Sequence, residues 1–158
     1  MTPTRSPVVE HAIDVRCSAA HAFTVFTERI ADWWPLDTHS LGAGMEDHAA
    51  VACVVEPRVG GRMYEVLDDG REFAWARVVA WQPGVLLALD WNPSLEPRPS
   101  TRVEVRFTGT GPDTCRVELT HGGFEAWGQP TATRDSYEAG WARSLALYRT
   151  AAEGSTST

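Results

Sequence analysis

Between residues 101 and 121 the chain alternates with a period of two, and that pattern leaves little choice of fold. Val103, Val105 and Phe107 alternate with Arg102, Glu104 and Arg106. After a turn at 109–113, Cys115, Val117, Leu119 and His121 alternate with Arg116, Glu118 and Thr120. A strand with one apolar and one polar face belongs to an antiparallel sheet that is covered on one side. The outward Arg and Glu residues are typed for cross-strand pairing, worth about 0.2–1 kcal/mol per pair.

The strands before this hairpin follow the same logic. Residues 50–56 and 62–67 flank a Pro57–Gly61 turn, and Asp68-Asp69-Gly70 is a hairpin signal. A long strand at 71–81 is broken by Gln82-Pro83-Gly84, and residues 85–91 follow. The Pro-rich stretch from Asn92 to Ser100 reads as a loop. An earlier strand at 8–16 places Val9, His11, Ile13 and Val15 on one face. The strand at 71–81 does not declare its faces. Ala74, Ala76, Val78 and Ala80 are small, whereas Phe73, Trp75, Arg77, Val79 and Trp81 are large. A bulge would let it switch sides midway.

Two helical segments complete the pattern. Ser18 is an N-cap candidate, and Phe23, Phe26, Ile30 and Trp33/Trp34 recur at helical spacing up to Pro35. Polarity at Thr27–Arg29 suggests a division into two short helices. A long helix over about 132–153 carries the stripe Tyr137, Trp141, Leu145, Tyr148 and Ala152, and Gly154 is its stop. The expected class is α+β: one curved antiparallel sheet of about six or seven strands, covered by a long C-terminal helix. Residues 8–153 form one domain in this reading, with residues 1–7 and 154–158 as disordered flanks.

Composition narrows the function classes. The 158 residues carry a formal charge of −7, and all 14 basic residues are Arg. This argues against a nucleic-acid or anionic-membrane binder. No apolar run is long enough to span a membrane, and Met1–Pro7 lacks the core of a signal peptide, so a cytoplasmic location is expected. Cys17, Cys53 and Cys115 fit neither a disulfide framework nor a zinc motif, and read as small core residues. No nucleophile elbow, phosphate loop or dinucleotide fingerprint is present. The 36–48 loop holds Asp37, His39, Glu46, Asp47 and His48 without compact ligand spacing. It reads as a solvated loop or a lid, and no metal or cofactor is expected.

Taken in order, several motifs resemble the START-like helix-grip (SRPBCC) superfamily, nearest the homologues of heat-shock protein 90 ATPase activators. They are Ala22-Phe23, Trp33-Trp34-Pro35, Glu56-Pro57, Gly60-Gly61-Arg62-Met63-Tyr64-Glu65, Asp69-Gly70, Pro83, Leu86, Trp91, Thr114 through His121, and Gly140-Trp141. The resemblance spans roughly residues 8–152. It implies a cavity between sheet and C-terminal helix in which members hold lipids, polyketides, hormones or other apolar molecules. Some members catalyse cyclisation or hydrolysis, and others protect a toxin producer.

Three functions follow as expectations. The first is binding of a small apolar, aromatic or polycyclic ligand. Its contacts would be Trp33, Trp34, Tyr64, Trp75, Trp91, His121, Trp127, Tyr137, Trp141 and Ser144. Tryptophan offers large contact area with few rotatable bonds. Gly140 and Ser144 sit where a solid core would carry Leu or Ile, which suggests open space; alternatively Gly140 allows close helix–sheet approach and Ser144 bonds within its helix. The second is an enzyme in the same cavity, a cyclase, hydrolase or toxin-modifying protein, with His121 as acid/base. Against that, His121 reads more readily as a partly buried residue bonded to backbone or to a neighbouring Tyr than as a catalytic group. The third is a co-chaperone-like interaction module. Monomer and homodimer are both compatible with the sequence.

Overall fold

A computed structural model describes residues 8–34, 50–91, 101–124 and 130–154. The elements are β1 (Val8–Val15), α1 (Ala19–Thr27), a 3-10 turn (Ile30–Asp32), β2 (Ala50–Val55), β3 (Arg62–Leu67), β4 (Glu72–Gln82), β5 (Leu86–Trp91), β6 (Thr101–Gly111), β7 (Thr114–Gly122) and α2 (Pro130–Gly154). The strands form one seven-stranded sheet in the order β1-β7-β6-β5-β4-β3-β2, and every neighbouring pair is antiparallel. The expected flank at 1–7 and residues 155–158 of the one expected at 154–158 lie outside the described residues, as do the 36–48 loop and the Pro-rich stretch; Gly154 itself is the last residue of α2.

The β6–β7 hairpin follows its alternation. Val103, Val105, Phe107, Cys115, Val117, Leu119 and His121 are all buried, and Arg106 stands opposite Glu118. Arg102 reaches instead across to Asp90 on β5, at 3.0 Å. Such exposed pairs contribute little to stability.

β4 resolves its ambiguity by bulging twice. One register shift makes Trp75 the extra residue between Ala74 and Ala76, and a second does the same to Val79. Each bulge moves the inward face by one position. Trp75, Ala76, Val78 and then Trp81 therefore all turn toward the core, while Arg77 stays outside and donates to the Gly60 carbonyl at 3.2 Å.

The first helix divides as its polarity suggests. Ser18 caps α1 by accepting the His21 N–H. The Thr27 hydroxyl turns back onto the Phe23 carbonyl, and α1 ends there. The Trp33 indole then donates to the Val25 carbonyl at 2.9 Å, which folds the 3-10 turn against α1. On the other side of α1, Phe23 meets Trp81 and Phe107 edge-on.

α2 lies across the inner face. Trp141, Ser144, Leu145, Tyr148 and Ala152 are buried, as the stripe requires. Tyr148 donates to the Ala22 carbonyl at 2.8 Å, tying α2 to α1. His11 is tied similarly, through Nε2 to the Glu138 carbonyl on α2 at 3.2 Å, which gives it a structural role. The three cysteines are free and buried. Burial pushes the Cys17 thiol up to about 12, so it is an inert core group.

The turn before β3 depends on a close approach. A Cβ on Gly61 would lie 2.7 Å from the Glu56 carbonyl oxygen and 2.9 Å from that of Arg58. These are backbone atoms and cannot rotate away. Gly61→Ala is expected to cost roughly 2–3 kcal/mol in urea denaturation. A loss under about 0.5 kcal/mol would show that the turn opens freely.

Candidate functional site

The space between sheet and α2 is lined with rings. Trp34, after the 3-10 turn, is 5.1 Å from Trp75, 6.0 Å from Trp91 and 5.9 Å from Trp141, centroid to centroid. Trp91 ends β5 and touches Trp141 at 5.5 Å; its indole donates to the Tyr137 hydroxyl at 3.0 Å. Tyr137 stacks on Phe124 at 5.5 Å and meets the His121 ring at 4.7 Å. Four tryptophans, from the segment after the 3-10 turn and from β4, β5 and α2, therefore join one continuous aromatic lining.

At one end of this lining His121 sits in a closed hydrogen-bond chain. An indole N–H can only donate, so Trp141 Nε1 donates to His121 Nδ1, at 3.0 Å. The ring proton then belongs on Nε2, which donates to Thr101 Oγ1 at 2.7 Å. The Thr101 hydroxyl passes its own proton to the Trp91 carbonyl at 3.1 Å. Every polar atom in the chain is used, and the imidazole is a fixed neutral tautomer. Burial pushes its pKa down to about 3. His121 is completely buried and holds the ends of β5, β6 and β7 to α2.

At the other end lies a carboxylate. Glu65 shares the inner face of β3 with Met63 and Leu67, and all three are buried. The Trp75 indole donates to Glu65 Oε1 at 3.0 Å. Across the strand pair, Cys53 is its register partner on β2. Burial, with the Glu65 charge second, pushes the Cys53 thiol up. Among the described residues no group of His, Cys, Asp and Glu could hold a metal ion. No helix among them is long and apolar enough to cross a membrane.

The chain matches no family model and none of the curated proteins. It does match solved structures. An anthrahydroquino-γ-pyrone synthase is 34% identical, with 84% of this chain and 90% of that chain covered at a TM-score of 0.52. The self-sacrificing resistance protein CalC from Micromonospora echinospora is 24% identical over 94% of this chain and 96% of that one, with a TM-score of 0.71. The Aha1 dimer from Colwellia psychrerythraea is 16% identical, covering 92% and 96%, with a TM-score of 0.63. The last two show the fold alone; the first is close enough in sequence to show kinship. The chain belongs to the helix-grip superfamily.

The helix-grip architecture brings most of the sequence-selected residues together. Trp34, Trp75, Trp91, His121, Tyr137 and Trp141 share the lining, and Ser144 is buried one turn beyond Trp141. Trp33 touches Trp34 but packs mainly on Phe26 and Tyr148 beside α1. Tyr64 is a correction. It stands on the face of β3 opposite Met63 and Glu65, with the Arg62 guanidinium 4.4 Å over its ring, so it is not part of the lining. Trp127 lies outside the described residues. The residue that sequence reasoning missed is Glu65. Its signal was parity: a charge between Met63 and Leu67 on the apolar side of a six-residue strand.

Proposed function

We propose that this protein binds a small apolar molecule, aromatic or polycyclic, between the curved sheet and α2. The observation that carries this reading is the continuous lining of Trp34, Trp75, Trp91, Trp141 and Tyr137. Flat, stiff rings from five separate positions suit a flat ligand, since they lose little side-chain entropy on binding it. The kinship with a synthase named for an anthrahydroquino-γ-pyrone supports the same ligand class. Polycyclic aromatics added to the protein are expected to quench its tryptophan fluorescence. At a hundredfold excess over Kd they are also expected to add about 2.7 kcal/mol of stability. A broad polycyclic library that does neither removes the proposal.

The synthase relative also favours a second reading, an enzyme acting in the same interior. In that reading His121 serves as acid/base only after Trp141 or Thr101 releases a ring nitrogen. Turnover retained in a folded His121→Gln variant would remove His121 from that role. The likeness to the Aha1 dimer rests on fold, and a co-chaperone role stands or falls on complex formation with a heat-shock ATPase.

A further inference from the structure

The space in which a flat ligand would sit already holds a ring, that of Trp34. We propose that the Trp34 indole is a built-in occupant of the ligand seat, and that an uncharged aromatic molecule of two or more fused rings binds by turning it out and taking its position. This rests on the binding function proposed above and changes the part that one of its rings plays. Trp75 and Trp91 belong to the sheet, on β4 and β5, and Trp141 belongs to α2. The Trp34 ring lies 5.1 Å from the first, 6.0 Å from the second and 5.9 Å from the third, at interplanar angles of 41°, 56° and 70°. A ring in contact with both layers stands between them, which is the space the binding function assigns to the ligand.

The three walls are fixed, and the occupant is carried differently. The Trp75 indole donates to Glu65 Oε1, that of Trp91 to the Tyr137 hydroxyl and that of Trp141 to His121 Nδ1, each at 3.0 Å. Each wall also stands on a strand or on the long helix, where regular hydrogen bonding holds the backbone. Trp34 belongs to no strand or helix. It follows the 3-10 turn, and its backbone N–H reaches the Ile30 carbonyl at 2.9 Å. It is also the most exposed of the four, at 7% against 2% for Trp75 and 3% for Trp91 and Trp141. Rotation about its side-chain torsions is the shortest way to clear the seat.

The chemistry of the incoming molecule follows. It replaces two fused rings, since a smaller one leaves wall atoms without partners. It is uncharged, because a charge among these rings would lose its hydration. The exchange also sets the affinity. A seat that is open only part of the time binds with its intrinsic Kd divided by the open fraction. Cutting back the occupant removes that cost and strengthens binding, whereas cutting back a wall weakens it.

Calorimetric titration with 2-naphthol tests the exchange in the wild type and in Trp34→Ala. The variant is expected to bind about tenfold or more tightly than the wild type. Binding that is weaker in the variant, or changed by less than about threefold, overturns the exchange and leaves apolar binding intact. Any cavity cut into an apolar core can take an aromatic molecule, so binding confined to the variant also overturns it. A second readout uses the wild type with its seven tryptophans replaced by 5-fluorotryptophan. The fluorine signal of Trp34 is assigned by its loss in Trp34→Phe. It is expected to gain a solvent isotope shift in D2O when 2-naphthol binds, while the signals of Trp75, Trp91 and Trp141 stay shielded. A Trp34 signal still shielded in the complex overturns the exchange. If Trp34→Ala does not fold, this readout decides alone. Failure of 2-naphthol to bind either protein overturns the exchange, whereas the binding function itself falls only with the wider polycyclic library.

Discussion

Acidification from pH 6.5 to 4.5 is expected to destabilise the protein by about 2 kcal/mol, reaching about 4 kcal/mol by pH 3. The cause is His121. Its pKa is about 3 in the fold against 6.5 in the unfolded chain. In this window the unfolded state binds the proton and the folded state does not. The stability His121 contributes is therefore complete above pH 6.5 and is lost as pH falls toward the folded pKa. Burial is the physical origin, because an imidazolium inside this network would lose its hydration and face the Trp141 N–H with a second donor. Among the described residues, the two carboxylates held low do not interfere in the upper part of the window. Glu56 is lowered by the Arg62 backbone N–H and guanidinium, and Glu153 by the Arg16 N–H and by Arg149. Both are held below the ordinary carboxylate range. Urea unfolding at intervals of half a pH unit, compared with His121→Gln, measures the effect. A slope between pH 6 and 4.5 that is the same in both proteins would rule His121 out as its source.

Trp141→Ala is expected to cost about 3–5 kcal/mol, the usual range for removing a large buried aromatic side chain. Trp141 is only 3% exposed and packs against Trp34 and Trp91. It is also the donor that closes the His121 chain. The two contributions separate in Trp141→Phe, which keeps most of the ring and removes the N–H. That variant should cost about 1–3 kcal/mol, the penalty for leaving His121 Nδ1 buried without a donor. Nitrogen NMR should show the Nδ1 resonance moving toward that of an unbonded ring nitrogen. A Trp141→Phe protein within about 0.5 kcal/mol of wild type, with the Nδ1 signal unmoved, would mean that the indole bond does not hold the histidine.

The architecture was largely legible in the chain. Period-two alternation placed the β6–β7 hairpin to within a few residues, and the stripe from Tyr137 to Ala152 placed the inner face of α2. These patterns are readable because each element buries one face, and burial selects apolar residues at a fixed period. Ser18 as a cap and the break after Thr27 were legible for a local reason, since both depend on side chains bonding to backbone within four residues.

The site was legible as a set of ring types and not as an arrangement. That tryptophan is the commonest of the aromatic residues is a property of the sequence. Which of them line the interior depends on two bulges in β4, and a bulge is set by how neighbouring strands pair, not by the residues it displaces. His121 was found by parity, but parity cannot say that Trp141 and Thr101, each 20 residues away, occupy both its nitrogens. Glu65 illustrates the same division. Its alternation with Met63 and Leu67 was the signal that could have placed it inward, and it went unread. Only the tertiary structure supplied the Trp75 indole that orients it, because a hydrogen bond between strands depends on distances that one strand's sequence does not contain.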